Sequence, residues 1–352
     1  MKVLILGGGP AGLYFGLLLK KANPQHDITL IERNPRHATY GWGVVFSDRT
    51  LASFREADYK TYTEITDSFV IWDNIDVWYR GQVRRCGGNV FSGISRRTLL
   101  NILQNRCQEL GVKLRFQTDI TDLAQLTPSL ESAYDLIVAA DGVNSLVRHT
   151  YAHIFKPDLE VGKAKYIWLG TDKVFDAFTF IFQENEHGLF QVHAYPFDGT
   201  TGTFIIECEE SAWRRAGLEQ AGEAESIAYC EQLFAANLGG HKLMSNNSKW
   251  INFVRVKNKS WRHRNIILLG DAAHTAHFSI GSGTKLAMES AIALVNAVEQ
   301  HSNLDAALND YELEQQAPRR EALQRRPAKG RNCFGKPSPA PSIWSRPNSP
   351  FI

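Results

Sequence analysis

Four short, largely apolar runs punctuate the chain: Lys2–Leu6, Asp27–Ile31, Leu136–Ala140 and Ile266–Leu269. Continuous hydrophobicity over so few residues predicts strands of a parallel sheet buried on both faces. From Pro10 onward, Leu13, Tyr14, Leu17, Leu18 and Leu19 recur at helical spacing, which predicts a helix directly after the first strand. Residues 160–210 change character to alternating, aromatic-rich segments, the pattern of antiparallel strands. In Leu189–Pro196 a period of two places Gln191, His193 and Tyr195 on one face, with Phe190, Val192 and Ala194 on the other. That polar face suits either the roof of a substrate pocket or the water side of a half-buried sheet.

Composition narrows the class. With 352 residues the chain can bury a large core and is expected to hold two closely joined domains. No apolar run approaches the roughly 20 residues that cross a bilayer, and the N-terminus enters a strand without a basic leader, so a cytoplasmic protein without a membrane partner is expected. A net charge of +2 gives no argument for nucleic acid. The five cysteines, Cys86, Cys107, Cys208, Cys230 and Cys333, are scattered without a CxxC pair. They are expected to be reduced thiols, neither a disulfide framework nor a metal site.

Chemistry concentrates where the apolar runs end. The first gives way to Gly7-Gly8-Gly9-Pro10-Ala11-Gly12. Gly7 permits a tight turn, Gly9 leaves room for a pyrophosphate, Gly12 lets helix and strand pack closely, and the helix start supplies N–H donors. The second run ends at Glu32, 20 residues after Gly12, the distance expected for an acid that binds an adenosine ribose. Arg33 either lies against the adenosine or faces water. The third run ends at Asp141-Gly142-Val143-Asn144-Ser145 and the fourth at Gly270-Asp271-Ala272-Ala273-His274. An ADP cradle alone fits NAD or FAD equally. Two further glycine–acid strand ends brought to the same crevice favour FAD, whose ribityl chain and ring extend beyond the ADP half.

With these motifs the chain resembles the class A flavoprotein aromatic hydroxylases, the para-hydroxybenzoate hydroxylase superfamily. Gly41–Asp48, Lys165–Thr171 and Gly270–Leu286 resemble its branch of salicylyl-CoA 5-hydroxylase and 2-aminobenzoyl-CoA monooxygenase, and the likeness extends over residues 1–324. It implies an α/β fold: a Rossmann-like FAD-binding domain of the glutathione-reductase type with an inserted mixed or antiparallel β-sheet substrate domain. The expected division is 1–150 and 260–324 for FAD and 151–259 for substrate, with part of 40–95 contributing.

The resemblance also implies roles. Arg96, opening Arg96-Arg97-Thr98-Leu99, would contact the FAD pyrophosphate, while Arg97 has the position of a solvated neighbour. Asp141 and Gly142, with Ser145 and Arg148, form a DGxxSxxR motif tied to FAD and to the nicotinamide donor. Asp271 would accept hydrogen bonds from ribityl or ribose hydroxyls. Gly281, Gly283 and Thr284 would start a helix beside the flavin's pyrimidine edge. The implied reaction is ring hydroxylation with NADH or NADPH as transient donor and O₂, through a flavin C4a-hydroperoxide, on a 2-hydroxy- or 2-aminobenzoyl-CoA thioester. Alternatives are a free or tryptophan-derived aromatic substrate, or a truncated flavin-binding remnant without turnover. A flavin halogenase is disfavoured, since no W-x-W-x-I-P run occurs.

His193 is the first candidate for a base that draws a proton from the substrate, with Tyr195 and His277 behind it. His277-Phe278 replaces a Pro-Pro pair common in the superfamily, and His277 reads equally as a titratable group near the flavin or as a satisfied structural histidine. Arg80, Arg84 and Arg85, expected in a loop, could meet CoA phosphates or simply face water. Residues 325–352 carry six prolines, six basic residues and no acid, predicting a disordered tail. That tail reads as a frameshift or truncation product, or as a Pro-rich linker. Oligomeric state is not legible.

Overall fold

The computed structural model describes residues 1–47, 51–88, 90–125, 130–278 and 283–322. The expectations placed on Gly281 and on the tail 325–352 lie outside the described residues.

The four apolar runs assemble into one sheet. Its strand order is Arg262–His263, Ile266–Leu268, Leu136–Ala139, Lys2–Leu6, Asp27–Ile31, Lys113–Arg115, and all pairings but the first are parallel. Val3, Leu4, Ile5, Leu136, Ile137 and Val138 are fully buried, which explains why these strands show no polar alternation: both faces are covered. The helix Pro10–Ala22 packs between Arg96–Leu110 and Gly283–Gln300. Ten consecutive residues of that first helix, Pro10 to Leu19, are buried, so it serves as a central pillar.

A second sheet of eight strands runs Leu243–Met244, Pro157–Thr171, Gly202–Glu209, Gly188–Pro196, Phe178–Asn185, Ile75–Tyr79, Gln82–Cys86, with Ile251–Asn258 also paired to Pro157–Thr171. The hairpin Ile75–Cys86 joins it through a parallel pairing with Phe178–Phe182. One face of this sheet forms its own core, with Ile167, Leu169, Phe190, Val192, Ala194, Phe204 and Ile206 against the helices Glu210–Arg215 and Glu223–Leu233. A small third sheet, Gly43–Ser47, Phe91–Ser95 and Val70–Trp72, brackets the hairpin Ile75–Cys86 in the chain. The fold is thus a Rossmann-like parallel sheet combined with a mixed, mostly antiparallel one.

One expectation needs correction. Arg84 and Arg85 stand on the exposed edge strand Gln82–Cys86, with only Arg80 in the turn. Arg85 forms a bidentate pair with Asp76 at 2.7 Å and a third contact to Asp176 at 2.8 Å, so it is not a free anchor for phosphates. Cys107, Cys208 and Cys230 are free, buried thiols, and Cys333 lies outside the described residues. Among the described residues no helix is long and apolar enough to cross a membrane, and no cluster has the make-up of a metal site.

Candidate functional site

The three strand-end signatures touch one another. Gly7 has φ +108°, and a Cβ there would lie 2.2 Å from the Ala140 carbonyl oxygen. A Cβ on Gly270, at φ +62°, would come within 2.8 Å of Ala11. Gly12 packs against the Gly7 carbonyl and Ala140, which is why neither strand nor helix tolerates a side chain at this position. A Cβ on Gly9 would meet nothing within 4 Å, so the cradle is open where the pattern requires room for phosphate. Gly9 is also the N-cap of the first helix and Pro10 its first residue, an arrangement suited to a helix start that keeps free N–H groups.

A cleft of about 250 Å³ opens from this cradle, lined by Gly7, Gly9, Glu32, Arg33, Arg96, Asp141 and Gly142. Glu32 accepts the Gly8 N–H at 2.7 Å through one oxygen, and the Asn34 backbone and side-chain N–H groups at 2.8 and 2.6 Å through the other. Both oxygens are therefore held in place at the cleft wall. Arg33 is exposed. Arg96 is half-buried at the start of its helix, while Arg97 is exposed.

Arg96 and Asp271 are electrostatically coupled. Burial presses the guanidinium pKa down, with Asp271 opposing, and burial pushes the Asp271 carboxyl up, with Arg96 opposing. Asp271 is exposed although protein surrounds it closely. Asp141 is likewise pushed up by burial, against hydrogen bonds from Ser145 and the following backbone. Its Oδ2 accepts the Val147 N–H at 3.3 Å, while its Oδ1 is buried without a partner. A dinucleotide with hydroxyl donors fits this constellation: an open glycine cradle, a guanidinium, an orphaned carboxylate oxygen and a second carboxylate opposite. Gly283 and Thr284 occupy the first turn of Gly283–Gln300, and a Cβ on Gly283 would meet nothing within 4 Å.

The second sheet turns a different surface toward the chemistry. Cross-strand registers place twelve residues on one face in three rows. The first row is Tyr166, Glu207, Gln191 and Phe182; the second Trp168, Ile205, His193 and Phe180; the third Gly170, Thr203, Tyr195 and Phe178. Gln191, His193 and Tyr195 share a face as the alternation predicted, and all three are buried, which rules out the water-side reading.

The third row anchors a neighbouring segment. Tyr195 donates its hydroxyl to the Gly43 carbonyl at 3.0 Å, lies near-parallel to Trp72 and Phe178, and Thr203 Oγ1 accepts the Gly43 N–H at 3.0 Å. Burial pushes the Tyr195 hydroxyl pKa up, and the side chain acts in this arrangement as a fastening. Gly170 lies against Trp42, where a Cβ would come within 2.5 Å of the indole, and Gly41 against Trp168 in the same way.

The first two rows surround a carboxylate that sequence reasoning missed. Glu207 is 2% exposed. Its Oε2 accepts from Gln191 Nε2 at 2.7 Å and stands 3.7 Å from His193 Nε2; its Oε1 stands 3.9 Å from His277 Nε2. Phe180 and Phe278 meet the His193 ring edge-on, and both His193 nitrogens lack a hydrogen-bond partner. Burial lowers the His277 pKa, with Glu207 opposing and His193 and Arg255 adding to the fall. The Tyr166 hydroxyl is pushed up to about 12 by burial and by the charges of Asp271 and Glu207, so it lies within electrostatic reach of both the Asp271 loop and the sheet face. The one available signal for Glu207 was an acid facing Gln191 across the strands within Phe204-Ile205-Ile206-Glu207-Cys208.

A parallel sheet carrying a glycine cradle, with two further acid-bearing strand ends in contact with it, defines a protein built to hold a dinucleotide of the flavin type. The chain belongs to the FAD binding domain family, whose model matches residues 1–326. It is 42% identical over 333 residues to a salicyloyl-CoA 5-hydroxylase of Streptomyces, covering 92% of this chain and 63% of that protein. It is 36% identical over 313 residues to a 3-hydroxy-4-methyl-anthranilyl-[aryl-carrier protein] 5-monooxygenase of Streptosporangium sibiricum, covering 89% and 83%. The chain thus spans under two-thirds of the first relative's length. In fold it matches the tetrameric form of 2-methyl-3-hydroxypyridine-5-carboxylic acid oxygenase, with a TM-score of 0.72 and 21% identity over 90% of this chain and 86% of that one.

Proposed function

We propose that the chain is the hydroxylating part of an FAD-dependent aromatic monooxygenase whose substrate carries a ring hydroxyl or amine and a masked carboxyl group, as in a 2-hydroxy- or 2-aminobenzoyl thioester. Electron transfer from NADH or NADPH and activation of O₂ are the chemistry that FAD supplies when bound. Gly7, Gly9 and the first helix would hold its pyrophosphate with Arg96, Glu32 its adenosine ribose, and Asp141 and Asp271 its remaining hydroxyls. Gly283 and Thr284 would lie at the ring end. The sheet face orients the aromatic and excludes water, and His193 takes the proton of the ring substituent, which raises the electron density of the ring.

The observation that carries the masked-carboxyl reading is the charge of that face. Glu207 is a buried anion there, and among the described residues Arg148 is the one fully buried Lys or Arg. Arg148 is engaged by the Val143 and Ala272 carbonyls. A free aromatic carboxylate would meet like charge with no buried cation to offset it, whereas a thioester is neutral at that atom. The two curated relatives named above carry a CoA thioester and a carrier-protein acyl group in their names.

The test is titration of salicylyl-CoA into FAD-loaded protein while NADH oxidation is followed. Strong stimulation by the thioester but not by free salicylate supports the reading. Equal stimulation by both removes the masked-carboxyl requirement, and none at all, with flavin retained, overturns the proposed substrate.

A further inference from the structure

We propose that Glu207 is a positioning residue that keeps the proton of His193 on Nε2 and so leaves Nδ1 as the lone pair that accepts the substrate's proton. The inference rests on the proposed hydroxylase reading for the identity of that proton donor, and on geometry for everything else.

A neutral imidazole has one donor and one acceptor nitrogen, and a neighbouring fixed acceptor decides which is which. Here Nε2 faces Glu207 Oε2 at 3.7 Å. Both ring nitrogens are buried with no hydrogen-bond partner, and of the two it is Nε2 that has the Glu207 carboxyl beside it. A buried acceptor without a donor is costly, on the order of 1–3 kcal/mol, which is the expected state of a site that completes itself with a ligand. The carboxylate cannot swing away: Gln191 donates to the same oxygen at 2.7 Å, and the residue is 2% exposed. Edge-on contacts from Phe180 and Phe278 limit rotation of the ring.

Other groups around Glu207 do not compete for this role. The strand Gly188–Pro196 supplies Gln191 and His193, and Pro157–Thr171 supplies Tyr166, a neutral phenol at ordinary pH. His277 faces the other oxygen at 3.9 Å. Arg255, on Ile251–Asn258, bears on His277 and is paired with Glu160, and Asp271 bears on Tyr166. No cation neutralises Glu207 directly among the described residues, so its charge is available to stabilise an imidazolium.

The proton step balances without a co-reactant. The substrate's O–H or N–H bond breaks, its electron pair stays on the ring substituent, and an N–H bond forms at His193 Nδ1. The resulting imidazolium carries two N–H groups, one of them toward Glu207. Geometry of this kind generalises the base-and-orienter arrangement of hydrolytic triads to a proton acceptor for an aromatic.

The experiment uses the full chain loaded with FAD and labelled with ¹⁵N-histidine, with the His193 signals assigned by their loss in His193→Gln. Tautomers are read from the nitrogen shifts in wild type, Glu207→Met, which removes both acceptors at similar volume, and Glu207→Gln, which keeps one oxygen. The expected result is a protonated Nε2 and bare Nδ1 in wild type, loss of that preference in Glu207→Met, and its partial return in Glu207→Gln. With salicylyl-CoA, Glu207→Met should lower kcat about 100-fold with KM changed by less than about threefold, and Glu207→Gln should recover part of the rate. A wild-type proton on Nδ1, or spectra unchanged in Glu207→Met, would overturn the assignment. So would a kcat within about twofold of wild type. The spectra decide the role of Glu207 even where salicylyl-CoA fails to turn over in wild type, a failure that counts against the proposed substrate instead.

Discussion

Arg148 donates through Nη1 to the carbonyl of Ala272 at 3.0 Å, across 124 residues of sequence. The same guanidinium donates to the Val143 carbonyl, and the Arg148 backbone N–H is capped by Ser145 Oγ at 3.0 Å. Asn258 reinforces the junction by donating to the Ala272 and Ala273 carbonyls. The Asp141 loop and the Asp271 loop are therefore held together by a buried cation whose partners are all backbone. Replacing Arg148 by Met leaves the Val143 carbonyl without its donor and the Ala272 carbonyl with Asn258 alone, and each lost hydrogen bond of this kind costs about 1–3 kcal/mol. Denaturant unfolding should show about 3 kcal/mol of lost stability, and the purified variant should retain less flavin than wild type, as read by the visible absorbance per protein.

Gly7 and Gly9 should separate folding from cofactor binding. Gly7→Ala forces a Cβ against the Ala140 carbonyl at a φ of +108°, and should destabilise the protein by more than about 3 kcal/mol. Gly9→Ala meets open space. It should leave the apoprotein's thermal midpoint within about 2 °C of wild type while weakening FAD binding about tenfold or more, measured by flavin fluorescence titration. Equal effects of the two substitutions on apoprotein stability would contradict the open cradle.

Tyr195→Phe should act on stability and not on chemistry. It removes one buried hydrogen bond, to the Gly43 carbonyl, at a cost of about 1 kcal/mol. The turnover number should stay within about threefold of wild type. A fall of two orders of magnitude with unchanged stability would instead assign the hydroxyl to catalysis.

His277 should make the protein sensitive to mild acid. Its folded-state pKa lies below the ordinary value of 6.5 because burial disfavours the charged ring. The unfolded chain then binds the proton first as pH falls, so this contribution to stability is intact above about pH 6.5 and declines as pH drops through the folded value. Unfolding free energies measured between pH 8 and pH 5 should fall less steeply in His277→Gln than in wild type. Parallel curves would show that the ring charges without cost.

Four of the six strands of the first sheet were legible because each is a short, largely apolar run ended by a glycine or an acid, a local signal; Lys113–Arg115 and Arg262–His263 carry no such run. Mutual contact of those ends, Ala11 on Gly270 and Gly7 on Ala140, follows from topology and only the type of motif foretold it. Alternation located Gln191, His193 and Tyr195 correctly, yet it could not tell a buried polar face from a wet one, since both leave the same period of two. Glu207 escaped notice because its partners lie on another strand and a distant loop. The expectation of a loop at Arg84 and Arg85 failed for a related reason. Gln82–Cys86 is an exposed edge strand, and a strand free on one side has little hydrophobic signature to read.

Neither large sheet is finished by a contiguous stretch of chain. The parallel one waits for Ile266–Leu268 to pair with Leu136–Ala139, and the mixed one needs Ile75–Tyr79, laid down before the helix Arg96–Leu110, to pair with Phe178–Phe182. Each closes across a loop of about a hundred residues, so the entropy of loop closure falls on the assembly as a whole. Such interleaving ties the order of synthesis to the order of folding: a ribosome must release most of the polypeptide before either sheet can be completed. The aromatic face and the dinucleotide cleft are consequently matured together, and a chain interrupted between them has no half that folds into a working unit.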